Sequence, residues 1–85
     1  MLTTIRYFAS VREAIGIASE EVDLPVDVRT LGDARRWLAA RSVRHGEALA
    51  ASKPLRMACD HVMGEHDDPV IPGRELAVFP PVTGG

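Results

Sequence analysis

The chain of 85 residues has no apolar run long enough to span a bilayer, and Arg6 interrupts its first ten residues where a secretory leader would be continuously apolar. A cytoplasmic protein is expected. One cysteine, Cys59, cannot close an internal disulfide, so a domain this small must be held by its core, which suits a reducing compartment. Lysine is nearly absent: the ten basic residues are nine Arg and Lys53, the net charge is −2 and the pI about 5.8. Nucleic acid is therefore not an expected partner, nor is a membrane. Internal repeats and low-complexity segments are missing too, which leaves one compact domain. With 46% hydrophobic and 26% charged residues, the composition is globular rather than disordered.

What is present reads as a small α+β unit. LTTIRYFA (2–9) is rich in β-branched and aromatic residues and predicts a strand with Ile5 and Tyr7 on one face. Ser10 with Glu13 three residues on predicts a capped helical turn stopped by Gly16. SEEVDLP predicts a second strand, with Val22 and Leu24 inward and the charges outward. Thr30 and Asp33 repeat the cap before the main helix, whose stripe is Leu31, Ala34, Trp37, Leu38 and Ala39. RHGEALAAS predicts a shorter helix after a break at Gly46, and PLRMACD a strand with Leu55, Met57 and Cys59 inward. GEHDDPVIPG predicts a loop holding an edge strand around Val70 and Ile71. RELAVFP predicts the last strand, Leu76 and Val78 on one face and Ala77 and Phe79 on the other.

The sequence closes on VFPPVTGG (78–85). Pro80 and Pro81 each fix φ, so the chain is expected to leave the last strand as a stiff stalk. Gly84 and Gly85 offer nothing to a core, but without Cβ atoms they can thread a narrow cleft. The group then presented is the α-carboxylate of Gly85. A carboxylate is a poor acyl donor until a second protein activates it, for instance as an acyl-adenylate made from ATP, after which sulfur or an amine can capture it. Such a glycine is a covalent carrier rather than a catalyst.

The stretches IRYFASVREAIG, VDLPVDVRTLGDARRWLAAR, PLRMACD and GRELAVFPPVTGG together resemble the small subunits of molybdopterin synthase, sulfur carriers of the ubiquitin-like β-grasp type. The resemblance implies a mixed sheet with one main helix across one face, a domain over 1–81 and a flexible diglycine tail over 82–85. It implies that Gly85 is adenylated by an enzyme of the ubiquitin-activating type, converted to a thiocarboxylate by a sulfur donor protein, and inserted into the large synthase subunit. There the sulfur would pass to a pyranopterin precursor, building the dithiolene of the molybdenum cofactor. Mapped onto this chain, Phe79, Pro80, Pro81, Val82, Thr83 and Gly84 form the docking segment; apart from the resemblance, Phe8 is expected as a surface aromatic that adds to a docking face. No cofactor is expected on the chain itself, ATP being used by the activating enzyme, and the catalytic side chains belong to the large subunit. The segment CDHVMGEHDDP departs from the family's short Asn-Gly-type turn, and residues 45–52 are individual.

Other readings remain open: a carrier for thiamine, cysteine or tungsten-cofactor chemistry, a tag joined to lysines, or a binding module with an inert tail. Cys59, His61, His66, Asp67 and Asp68 invite a metal site, with Cys59 and His61 sharing a strand face, but their spacing fits no common zinc pattern and no metal is expected. Arg35, Arg36, Arg41 and Arg44 are expected to form a solvated helix face. Glu13, Glu20 and Glu21 imply no cleft for acid–base work.

Overall fold

The computed structural model describes residues 2–71 and 73–81. Its order is β1 (Leu2–Tyr7), α1 (Ala9–Ile15), β2 (Ser19–Asp23), α2 (Leu31–Ala39), α3 (Val43–Ala48), β3 (Arg56–Cys59), β4 (Val62–Gly64) and β5 (Leu76–Phe79). The strands form one sheet in the order β2-β1-β5-β3-β4, with β1 and β5 parallel at its centre and the other pairs antiparallel. The mixed sheet and its α+β architecture agree with the β-grasp expectation. No helix among the described residues is long and apolar enough to cross a membrane.

The sheet's inner face carries the core: Ile5 and Tyr7 from β1, Val22 from β2, Met57 from β3, and Leu76 and Val78 from β5. Leu31, Ala34 and Leu38 of α2, Val11 and Ile15 of α1, and Ala48 and Leu49 at the end of α3 belong to the same cluster. Helix α2 starts where the sequence places it. The Asp33 N–H donates to Thr30 Oγ1 at 3.0 Å while the Thr30 N–H donates to Asp33 Oδ2 at 3.2 Å, so each residue's otherwise orphaned amide is satisfied by the other's side chain. The amides of Arg29 and Thr30 hold the Asp33 carboxyl below its ordinary pKa, with Arg36 adding to the effect.

Three expected elements are placed differently. Helix α1 is capped by Phe8, without a side-chain bond, not by Ser10. The Phe8 N–H still donates to the Val78 carbonyl of β5, and the chain turns directly into the helix through Ala9 at φ 51°. Ser10 is thus already inside the first turn. Gly16 does stop the helix, at φ 96° with its N–H on the Arg12 carbonyl. Helix α3 contains Gly46 rather than starting after it. Its cap is Ser42, and a Cβ at Gly46 would stand 3.1 Å from the Ala39 carbonyl oxygen, so this glycine permits close approach to the end of α2.

The edge strand lies at Val62–Gly64, not around Val70 and Ile71. Asp60 and His61, at φ 51° and 70°, form a two-residue turn that joins Cys59 directly to its partner Val62. Residues 65–70 instead strap the start of α2: the Leu31 and Gly32 amides donate to the Asp68 and His66 carbonyls, and the Val70 N–H donates to the Arg29 carbonyl. Backbone that could have extended the sheet is thereby spent on the helix's unpaired amides.

The inner face also holds a carboxylate that the sequence pattern assigns to solvent. Glu20 points inward beside Val22, and its Oε2 accepts from the Tyr7 hydroxyl and from His45 Nε2–H, each at 2.7 Å. Arg41 donates to Oε1 at 3.0 Å. Burial pushes the Glu20 pKa up, but the bonds from His45 and Tyr7 together with the Arg41 charge outweigh it and hold it below the ordinary value. The Tyr7 phenol is driven far up, first by burial and then by Glu20. This cluster pins α3 and the turn before it onto β1 and β2.

Of the four arginines expected on a solvated face, Arg36, Arg41 and Arg44 are exposed and Arg35 is not. Arg35 is 5% exposed, and its guanidinium reaches the carbonyls of Leu49, Ala50 and Lys53, closing the loop after α3. Desolvation lowers its pKa. Arg36 pairs with Asp33, and Arg41 pairs with Glu20 and lies over Trp37.

Candidate functional site

Among the described residues the helices cover one face of the sheet, and Pro80 and Pro81 leave from the other. Register partners share a face, so Arg6, Ala77, Ala58 and Met63 form one row across β1, β5, β3 and β4. In the next row Phe79 pairs with Arg56, and Phe8 continues β1 beside Phe79. Two alanines at the centre, ringed by longer side chains, leave an open depression of about 640 Å³. Ala58 and Ala77 lie in its floor, Phe8, Phe79, Met63 and His61 around it, and Pro80 and Pro81 at the end where the chain departs.

The depression is mainly apolar. Phe8 is 40% and Met63 53% exposed, an arrangement that a free surface gains nothing from. The far side of the same face is different: β2 turns Glu21 and Asp23 outward there. On this face apolar character therefore lies toward the root of the stalk, while other exposed apolar side chains, Val26 and Val43 among them, lie outside the depression.

Of the expected docking residues, Phe79, Pro80 and Pro81 are brought together on this wall. Val82, Thr83, Gly84 and Gly85 lie outside the described residues. Ala58, Ala77, Met63 and His61 join the site without having been expected there. Their signal in the sequence is weak, because alanine alternating in a strand reads as a neutral outward position, and His61, Val62 and Met63 fall between the expected strand 54–60 and the expected loop 64–73.

The metal reading does not assemble. Cys59 packs against the core on the inner face, whereas His61 sits in the turn on the outer rim, and His66 lies over the start of α2. Among the described residues no group of three or more His, Cys, Asp or Glu side chains is placed to hold a metal ion.

The ThiS family profile matches residues 5–85. The chain belongs to the ThiS family. Within that likeness it is 40% identical to the molybdopterin synthase sulfur carrier subunit of Escherichia coli, over 95% of this chain and 96% of the relative. It is 33% identical to the Haemophilus influenzae protein of the same name, over 99% of this chain and 100% of that one. In structure it resembles Haloferax volcanii small archaeal modifier protein 1, with a TM-score of 0.71 and 27% identity over 95% of this chain and 98% of that one. The β-grasp expectation and the family resemblance both stand. In this ThiS family member the sheet centre, where β5 lies between β1 and β3, is the mounting for the tail.

Proposed function

We propose that the protein is the sulfur carrier subunit of a molybdopterin synthase, with the α-carboxylate of Gly85 as the sulfur-bearing group. The observation that carries this reading is the 40% identity to a sulfur carrier subunit over nearly the whole chain. It is supported by VTGG following a proline pair at the rim of an apolar depression. Phe79, Pro80 and Pro81 hold the root of the tail, so a partner that covers the depression receives residues 82–85 in a restricted direction, at small cost in chain entropy. Val82 and Thr83 continue the docking segment, and Gly84 provides the narrow approach.

The chemistry needs three partners. An adenylating enzyme of the ubiquitin-activating type presents ATP: the Gly85 carboxylate attacks the α-phosphate, pyrophosphate leaves, and an acyl-adenylate forms. A persulfide on a sulfur donor protein then attacks the acyl carbon and displaces AMP; a thiol cleaves the resulting acyl disulfide, leaving a thiocarboxylate on Gly85 and a disulfide on the donor side. The large synthase subunit takes up the tail and transfers the sulfur to the pyranopterin precursor, with its own side chains as catalysts. The carrier binds no cofactor in this scheme, which operates in the cytoplasm.

The test is the intact mass of the protein from cells with and without the adenylating enzyme. One oxygen replaced by sulfur, only when the enzyme is present and not in a chain lacking Gly85, is the expected result. A free acid in the presence of enzyme, ATP and sulfur donor would overturn the proposal. The likeness to an archaeal modifier protein favours a second reading, a tag joined to lysines. That reading requires diglycine branches on other proteins, detectable after proteolysis.

A further inference from the structure

The depression beside the stalk has a charged lip as well as an apolar floor. Arg6 stands in the row of Ala77 and Ala58, with its guanidinium 5.6 Å from the centroid of Phe8 and one N–H 3.4 Å from Glu75 Oε1. Glu75 also lies 3.5 Å from His61 Nε2, so Arg6, Glu75 and His61 make a continuous border along one side. At the other end Arg56, the register partner of Phe79, is linked to Glu65 at 3.6 Å. Both arginines keep substantial exposure, 50% for the Arg6 side chain and 41% for that of Arg56. Two guanidinium groups, each paired with a glutamate, thus flank the apolar depression of a chain whose net charge is −2.

Covering this face has a specific consequence. A guanidinium carries five N–H donors and no acceptor, and Glu75 engages Arg6 from one side. An apolar surface laid over Phe8 and Ala77 would strip water from the remaining donors of Arg6 and leave them unpaired, which opposes binding. A partner carrying a carboxylate at that point replaces the lost water with a charge-assisted bond. Partners without one are rejected by the same desolvation, so the arginine discriminates more than it attracts.

We infer that Arg6 is a specificity-determining contact for the large synthase subunit, which seats an apolar side chain over Ala58 and Ala77 and brings a carboxylate to the Arg6 guanidinium. The inference rests on the proposed function for the partner's identity. The occupant follows from continuity: Pro80 and Pro81 line the same depression, so the protein that receives the tail also covers this face. Arg56 lies beyond Phe79, one row away from Ala58 and Ala77, whereas Arg6 stands in their row and over Phe8, which makes Arg6 the contact that a side chain seated on the alanines reaches.

Affinity for the cognate large subunit would be measured by calorimetry at low and high salt, for the intact chain and for Arg6→Gln, Arg6→Lys, Arg6→Glu and Phe79→Ala, with thermal unfolding of each variant alongside. Arg6→Gln removes the charge without setting two carboxylates side by side, as Arg6→Glu does next to Glu75. The expected result is about tenfold weaker binding for Arg6→Gln at low salt, more for Arg6→Glu, a smaller loss at high salt, and partial recovery in Arg6→Lys. Unaltered unfolding of Arg6→Gln would accompany it. If Phe79→Ala weakens binding while all three Arg6 variants bind like the intact chain, the inference is overturned and the docking face stands. If neither position matters, both fall.

Discussion

Strand β5 does two unrelated things with alternate residues. Leu76 and Val78 face the helices and are fully buried, whereas Ala77 and Phe79 face away, in or beside the depression at the root of the stalk. The inner pair ties β5 into the core, and the outer pair gains nothing for the isolated fold that smaller or more polar residues would not also give. One strand four residues long thus separates folding from docking by the two-residue period of its side chains. Stability and partner binding should therefore respond to different substitutions on neighbouring positions.

The largest effect is expected from Leu76→Ala. It removes a fully buried side chain from a strand paired on both sides, and such truncations cost about 3 kcal/mol. For a domain of this size that is a fall of roughly 15 °C in Tm. Phe79→Ala, three residues on, should cost less than about 1 kcal/mol in stability, because its ring lies on the outer face, and yet weaken binding to the large subunit. Thermal unfolding and calorimetry on both variants check the contrast. A Phe79→Ala protein that unfolds as early as Leu76→Ala would break it.

Glu20 gives a second, smaller test on the inner side. Replacing it by Gln keeps the shape but removes the charge that Tyr7, His45 and Arg41 converge on, a loss of about 2 kcal/mol. Its folded pKa lies below the unfolded carboxylate value, so the stability it contributes is complete above about pH 4.3 and disappears as the pH falls through the lower folded value. Urea titrations across the acid range should show that slope in the intact protein and a flatter one in Glu20→Gln. Equal slopes would remove Glu20 as the responsible group. Binding at the outer face near pH 7 should change little.

The residues that were legible in advance are those whose signal is local. Thr30 and Asp33 satisfy one another within a single turn, Gly16 stops a helix by its own φ, and β5 alternates strictly, so each could be read without a partner in view. The family likeness was carried by stretches of this kind and by FPPVTGG. What stayed hidden depends on distant backbone. Phe8 caps α1 only because its N–H is held by Val78, seventy residues away in the chain, which leaves Ser10 one step too late. Val70 and Ile71 read as an edge strand within a loop, whereas the carbonyl of Arg29 claims the Val70 N–H and turns the segment into a strap. The charge of Glu20 reads outward, and only the meeting of Tyr7, Arg41 and His45 makes an inward carboxylate tolerable. The depression was missed for a related reason: a hole is made by what surrounds Ala58 and Ala77, and nothing in either alanine announces its neighbours.

The smallest effect is expected at the start of α2, where redundancy can be counted bond by bond. The Leu31 and Gly32 amides are held by the strap carbonyls of Asp68 and His66, and the Ala34 amide by the Thr30 carbonyl, none of which needs the threonine side chain. Thr30→Ala therefore orphans the Asp33 N–H alone, and loses about 1 kcal/mol rather than the larger cost of an uncapped helix. Thr30→Ser should restore it. Chemical denaturation should show a lowered midpoint at unchanged slope, since the native surface is the same. Because α2 lies on the inner face, the affinity for the large subunit should not move. A change in affinity with so small a loss of stability would mean that the helix side reaches the depression through the sheet, and the two faces of β5 would then have to be treated as one coupled unit.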